Sequence, residues 1–220
     1  IARSLTEPVH HLAVVVDDAT MGVTLAMRGE DLLSNTPRQI LIQDALGFER
    51  PQYLHLPLIL APDRTKLSKR RHATSLGDFR DRGYLASGLA NFLAFLGWNP
   101  GTEQDIFSMD ELIAAFDLSK IQKSPAIFDE VKLKWVNREH MLRMPSDDFV
   151  KTVMPFISTE SAACVQKTPA VAEVLRERAS TFGEIREADE AGEYAYFYKT
   201  PTVAAEALIY KTESKEATIG

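Results

Sequence analysis

Two apolar runs with a helix signal between them constrain the fold of this 220-residue chain more than any other feature. The first, His11-Leu-Ala-Val-Val-Val16, is nearly continuous and rich in β-branched residues. That pattern predicts a strand covered on both faces, ended by Asp17 and Asp18. Thr36-Pro37 then opens a helix, with Thr36 expected as N-cap and Pro37 at the first helical position. Its apolar stripe reads as Ile40, Leu41, Ala45 and Leu46, and Gly47 closes it. The second run, His55-Leu-Pro-Leu-Ile-Leu60, predicts another strand, with Pro57 suited to an edge or to the strand's start. Strand, helix, strand is the crossover unit of a doubly wound parallel sheet.

Beyond this unit the pattern turns helical. Leu85, Leu89, Phe92, Leu93 and Leu96 share one helical face, which Gly97-Trp-Asn-Pro-Gly101 ends. Ser108-Met-Asp-Glu111 has capping-box spacing and predicts a helix buried through Leu112, Ile113 and Phe116. Asp129 is expected to cap a third, carrying Val131, Leu133, Trp135 and Val136. Ser146 is expected to cap a fourth, and Thr168-Pro169 and Thr200-Pro201 repeat the start signal. The fold class predicted is α/β followed by all-α.

Hydrophobic residues make up 45% and charged residues 25%, an ordinary globular balance. No window of about 18 uncharged apolar residues is present, so no membrane-spanning helix is expected. The net charge of −6 is unlike a dedicated nucleic-acid module, so any RNA contact must use a local basic patch. A single cysteine, Cys164, excludes an internal disulfide framework and a cysteine-rich zinc site, and suits a reducing cytoplasm. The first residue is Ile1 and an apolar run begins by residue 11, so upstream sequence is expected.

The strongest local signal is Pro62-Asp-Arg-Thr-Lys-Leu-Ser-Lys-Arg-Arg71. It follows a predicted strand, where α/β sheets build ligand sites. Pro62 and Asp63 make a turn there. Lys66 and Lys69 are two residues apart, so a tight loop can aim both ammonium groups at one point, with Ser68 adding a hydroxyl. Such a cluster suits a polyphosphate whose charge shifts during reaction. The alternative is a solvated basic turn.

This loop resembles the KMSKS signature of class I aminoacyl-tRNA synthetases, in the KxSKR form of the glutamate branch. Other segments resemble glutamyl-tRNA synthetases in the same order: His11-Leu-Ala-Val-Val-Val-Asp-Asp18, Met21-Gly-Val-Thr24, Arg28-Gly-Glu-Asp31, Ser34-Asn-Thr-Pro37, His55-Leu-Pro57 and Thr74-Ser-Leu76. Further on, Gly83-Tyr-Leu85, Asn91-Phe-Leu93, Leu96-Gly-Trp98, Phe128-Asp129 and Lys132-Leu-Lys-Trp-Val-Asn137 match the family's stem-contact region. The resemblance is strong through about residue 140 and weaker after it.

What the resemblance implies is the C-terminal half of a Rossmann-type catalytic domain in 1–75, a stem-contact region in 76–140, and the start of a helical anticodon-binding domain in 141–220. The family's HIGH motif has no counterpart here, so the chain is expected to be inactive alone. The implied reaction is ATP-dependent activation of glutamate, then transfer to tRNA-Glu, by a cytoplasmic monomer. Mg2+ accompanies the ATP, and no protein-bound zinc is expected. Lys69 would stabilise the phosphates, assisted by Lys66 and Ser68. Leu58 and Ile59 would read adenine through the backbone, and Asp31 would join the ATP site. Arg28 falls where the family places a substrate-contacting arginine. A guanidinium can grip a carboxylate through two parallel hydrogen bonds. The alternative for Arg28 is a salt bridge to Glu30, Asp31 or Asp17.

Two positions depart from the family. His10 stands where a tyrosine contacts glutamate, and Ala19 stands where a histidine follows the Asp-Asp pair. A diverged paralogue and a non-catalytic tRNA-binding remnant therefore remain as alternatives. Arg70, Arg71, His72, Arg80 and Arg82 form the densest basic stretch, with Arg70, Arg71 and Arg80 as tRNA-binding candidates. Trp98, Trp135, Cys164 and the aromatic cluster at 194–198 read as packing residues.

Overall fold

In the computed structural model, which describes residues 2–4, 7–67, 75–167 and 169–193, the chain divides into two units. The first holds Ile1–Lys66, Leu96–Gly101 and Asp117–Phe128; the second holds Leu67–Phe95, Thr102–Phe116 and the chain from Asp129 onward.

The first unit opens with β1 (Ala2–Ser4) and β2 (Glu7–Pro8), a short antiparallel pair. Then come α1 (His10–Thr20), β3 (Leu25–Gly29), a 3-10 segment (Glu30–Asn35), α2 (Thr36–Leu46), β4 (Gln52–Leu56), β5 (Ile59–Leu60) and, after a long excursion, β6 (Ala126–Ile127). β3 and β4 are parallel, with Arg28 opposite His55, and β5 is parallel to β6. A crossover unit is therefore present, but its strands are β3 and β4, and the expected strand at 55–60 is divided at Pro57 and Leu58 between the end of β4 and β5, which pairs elsewhere.

The run at residues 11–16 is helical, not a strand, and Asp17 and Asp18 continue the helix rather than ending it. A short apolar run has no period of its own, so neighbours decide it. Here α1 packs on α2, and only Val15 of the helix is fully buried. The expected stripe of α2 is also corrected: Leu41 is 69% exposed and Leu46 47%, while Gln39, Ile42 and Gln43 are buried. A buried amide is tolerated where it is bonded, and Gln43 Nε2 donates to the Tyr53 hydroxyl at 3.0 Å. Gly47 ends α2 in the left-handed conformation, as expected. Thr36 is the first residue of α2 rather than its cap, and no side chain caps that end.

Among its described residues the second unit carries helices and no strand: α3 (Leu76–Asp81), α4 (Ala86–Ala94), α5 (Met109–Ala115), α6 (Glu130–Arg143), α7 (Ser146–Val153), α8 (Thr159–Lys167), α9 (Pro169–Arg178) and α10 (Phe182–Glu190). The α/β-then-helical order matches the sequence reading. Ser108 and Glu111 form the expected capping box, Asp129 caps α6 through the Val131 and Lys132 amides, and Ser75 with Asp78 forms a box that was not expected. Ser146 does not cap α7; it opens the helix after Pro145, and its hydroxyl donates to Glu173.

Leu89, Phe92, Leu112, Leu133 and Val136 are buried as expected, but Leu93, Ile113, Phe116, Val131 and Trp135 are exposed. Each of these helices covers a narrower arc than its apolar residues span. Trp98 does pack in the interior, its Nε1 donating to the Asp117 carbonyl at 3.2 Å. The expectations for Cys164 packing, Thr168, Thr200-Pro201 and the 194–198 cluster fall outside the described residues.

A core of Met141, Phe149, Val153, Leu175, Phe182 and Ile185 joins α6, α7, α9 and α10. Gly83, at φ +75°, lets this part close, because a Cβ there would overlap the Gly183 amide. Two fully buried asparagines hold the loops around α4 and α6. Asn91 Oδ1 accepts from the Phe107 amide at 2.8 Å, and its Nδ2 donates to the Asp105 carbonyl. Asn137 Oδ1 accepts from the Leu85 amide at 2.8 Å, and its Nδ2 donates to the Ser180 carbonyl at 2.6 Å. Replacing Asn137 by Ala strands both backbone groups. Asn137→Ala is expected to lower unfolding free energy by about 3 kcal/mol in urea denaturation, and an unchanged midpoint would refute the clamp.

Candidate functional site

The candidate site is built where β3 ends. Parallel pairing puts Arg28 beside His55, and Tyr53, two residues before His55, shares its face. The Arg28 guanidinium lies 5.1 Å from the Tyr53 ring centre. Its Nη2 donates to Thr36 Oγ1 at 2.7 Å, and its Nε approaches His55 Nε2 at 3.5 Å. Thr36 Oγ1 lies 3.1 Å from the same His55 nitrogen. Burial, then the neighbouring Arg28 charge, push the His55 pKa down. Among the described residues Arg28 has no carboxylate partner, so the salt bridge to Glu30, Asp31 or Asp17 is not formed.

Arg28 and His10 line one cleft of about 320 Å3, together with Asp18, Asn35 and Gln39. Gln39 is 1% exposed and its Oε1 has no partner among the described residues, so the cleft holds a buried acceptor that they leave unbonded. Such convergent polar groups over an apolar floor are what a small polar ligand needs. A larger groove, about 570 Å3, runs between α1 and α2 and is lined mainly by Val9, Leu12, Leu41, Ile42 and Leu46. It lacks the same convergence of polar groups.

The lysine loop leaves β5 through a tight turn. The Ala61 amide donates to the Thr65 carbonyl, Asp63 Oδ1 accepts from the Thr65 amide at 2.9 Å, and Arg64 adopts φ +64°. The chain then returns beside Leu60 at Lys66. Lys66 Nζ donates to Asp31 Oδ2 at 2.8 Å, and this bond holds the Asp31 carboxyl below the usual carboxylate range. Gly29 leaves room for that carboxylate, since a Cβ there would sit 2.5 Å from Asp31 Oδ1. The Leu58 carbonyl, just before β5, and the Leu60 carbonyl within it accept from the Ala126 and Phe128 amides. Parallel pairing therefore turns the Ile59 backbone groups to the strand's other side.

Of the residues expected from sequence, Arg28 and His10 share the cleft, and Asp31 and Lys66 pair with each other. Arg80 lies in the second unit, exposed and bonded to Asp81. Ser68, Lys69, Arg70 and Arg71 lie outside the described residues. Thr36, His55 and Gln39 were not expected. The only available signal was the register of two strands, which the chain order does not display. Among the described residues no group of three or more His, Cys, Asp or Glu could hold a metal ion, and no helix is long and apolar enough to cross a membrane.

Comparison with known proteins places this chain in a family. The family model for tRNA synthetases class I (E and Q), catalytic domain, matches residues 1–135. A glutamate–tRNA ligase of Carboxydothermus hydrogenoformans is 46% identical over 196 residues, which cover 85% of this chain and 40% of that protein. One from Desulforudis audaxviator is 40% identical over 207 residues, covering 91% of this chain and 40% of the relative. A crystal structure of a glutamate tRNA ligase from Elizabethkingia meningosepticum, in complex with its amino acid, superposes with a TM-score of 0.71 at 30% identity, over 84% of this chain and 40% of that one. The chain thus spans about 40% of the length of the relatives it matches. By this match over more than half its length, the chain belongs to the class I tRNA synthetases of the glutamate and glutamine branch.

Proposed function

We propose that this chain works within a glutamate–tRNA ligase. In that reaction the glutamate α-carboxylate attacks the α-phosphate of ATP, forming glutamyl-adenylate and releasing pyrophosphate. A hydroxyl of the tRNA 3′-terminal adenosine then takes the glutamyl group and releases AMP. The observation that carries this reading is the Arg28 guanidinium, held at the cleft by Thr36 and His55 with no carboxylate partner among the described residues. A fixed, unpaired guanidinium in a polar cleft is suited to a ligand carboxylate, and glutamate carries one on its side chain.

The other roles follow the family resemblance. Lys66, Lys69 and Ser68 meet the phosphates, the backbone at Leu58 and Ile59 reads adenine, and Arg70, Arg71 and Arg80 contact tRNA. Of the two strand residues, Ile59 has its backbone groups free of the β6 pairing, which favours it as the adenine reader. Asp31 holds Lys66 near the loop until the nucleotide competes for it. That exchange is cheap, because both partners are about half exposed, at 61% and 44%, and an exposed ion pair is worth at most about 1 kcal/mol. Mg2+ belongs to the nucleotide substrate as its complex. Residues 76–140 serve as the stem-contact region, and 141–220 begin the helical anticodon-binding domain. The single cysteine suits a reducing cytoplasm.

His10 favours a second reading, a ligase with diverged amino-acid recognition. It lines the cleft at the position where the family has tyrosine.

Two outcomes test the proposal. With this sequence set in a ligase of the relatives' full length, Arg28→Gln is expected to cut kcat/KM for glutamate by about a hundredfold while leaving the KM for ATP unchanged. Equal loss towards both substrates would count against the assignment. The 220-residue chain by itself is expected to give no ATP–pyrophosphate exchange, even with tRNA supplied; turnover in that radiolabel assay would contradict the two-part view of the ATP site.

A further inference from the structure

The hydrogen bonds around Arg28 fix a direction. An arginine only donates, so Thr36 Oγ1 accepts from Nη2 at 2.7 Å. The hydroxyl proton of Thr36 is then available to His55 Nε2, 3.1 Å away. Arg28 Nε–H faces that same nitrogen at 3.5 Å. A ring nitrogen met by two donors is the bare one, so the proton of the neutral imidazole sits on Nδ1. We propose that Thr36 and the neutral, Nδ1-protonated form of His55 are positioning residues that hold the Arg28 guanidinium in the cleft for a substrate carboxylate. The inference rests on the proposed glutamate reading and names what sets the aim of its key side chain.

Three features make the hold directional. The Tyr53 ring supports the guanidinium from one side at 5.1 Å. Thr36 is 8% exposed, so little water competes for its hydroxyl. The hydroxyl also sits on the first residue of α2, and its two bonds go to Arg28 and His55.

Protonating His55 reverses the chain of donors. Nε2 would become a donor and would place a second cation beside Arg28. The charged and titratable groups against the ring are Arg28 from β3 and Tyr53 from β4, the Tyr53 ring stacking on the imidazole at 6.4 Å between centres. The 3-10 segment packed on β4 carries Glu30 and Asp31, with Asp31 bonded to Lys66. α2 faces this cluster with Thr36 and Gln43, which are uncharged. No described carboxylate is bonded to the imidazolium, and the fold favours the neutral ring. The His55 pKa is accordingly pushed below its ordinary 6.5. The hold is full above that pH and is lost as pH falls through the lowered folded value.

The test uses 15N NMR of the 220-residue chain titrated with pH, and glutamate binding to a ligase of the relatives' full length that carries this sequence. The wild type is expected to show the Nδ1–H tautomer of His55 at neutral pH and a slowly exchanging Arg28 Nε–H. That arginine signal should disappear as His55 protonates. Thr36→Val removes the hydroxyl and keeps the shape. It is expected to lose the Arg28 signal, raise the His55 pKa towards its ordinary value, and weaken glutamate binding about tenfold. His55→Gln keeps an acceptor for Thr36 without titrating, so it should retain the Arg28 signal and remove its acid dependence. An Nε2–H tautomer in the wild type overturns the proposal. So does an Arg28 signal indifferent to Thr36→Val, or a folded His55→Gln chain whose Arg28 signal still vanishes in acid. If the His55 and Arg28 signatures appear but glutamate does not bind, the positioning stands and the glutamate reading falls.

Discussion

Parallel pairing of β3 with β4 is the constraint on which the candidate site depends. It sets Arg28 and His55 side by side although 27 positions separate them in the chain. The helix that makes parallel pairing possible, α2, also begins with the residue that links the two side chains. A shift of the register by one residue would turn Arg28 to the opposite face of the sheet and leave His55 beside a neighbour from the wrong row. Topology and site are therefore a single requirement: a sheet that did not cross over would not carry the cluster.

In the second unit the equivalent constraint is polar rather than apolar. Asn91 and Asn137 are fully buried, yet each exchanges its amide with backbone groups that no helix could satisfy. An amide left unbonded in such a place costs about 1–3 kcal/mol, comparable to the gain from burying a leucine of about 1.5–3 kcal/mol. The asparagines decide where α4 and α6 meet the intervening loops, and the phenylalanine core supplies the cohesion. Apolar contact alone would permit several registers of helix on helix; a bonded amide permits one.

Much of this was legible in the chain, and the exceptions have physical causes. Local rules that act within four residues transferred in part: the Ser108 and Asp129 caps and the Gly47 stop stand, while Thr36 and Ser146 open their helices without capping them. The crossover was foreseen as a unit but with neither strand correctly bounded, whereas the lysine turn was readable, because it rests on local backbone chemistry. The run at residues 11–16 was not, because six apolar residues fit a buried strand and a helix equally, and the packing of α1 on α2 decides. The buried stripe of α2 was misread for a related reason. Gln39 and Gln43 face inward while Leu41 faces out, which follows from partners contributed by the strands. Arg28 and His10 could be named from the resemblance. Thr36 could not be assigned its role, since its position matched a helix cap, and His55 looked like an ordinary strand residue.

The two cations of the first unit are held in different ways, and the difference bears on the work proposed for them. Arg28 is fixed on three sides, by a hydroxyl, an imidazole and an aromatic face, none of which neutralises its charge. Lys66 is held at one point by a carboxylate that does neutralise it, in an exposed pair. A guanidinium that must recognise a planar carboxylate gains from a rigid aim and an uncompensated charge. An ammonium that must follow phosphates through a reaction gains from a flexible stem and a partner it can leave cheaply. Thr36 fits the same logic: its buried hydroxyl is spent on the guanidinium and the imidazole together, so the aim of Arg28 is set by groups that leave its charge uncompensated.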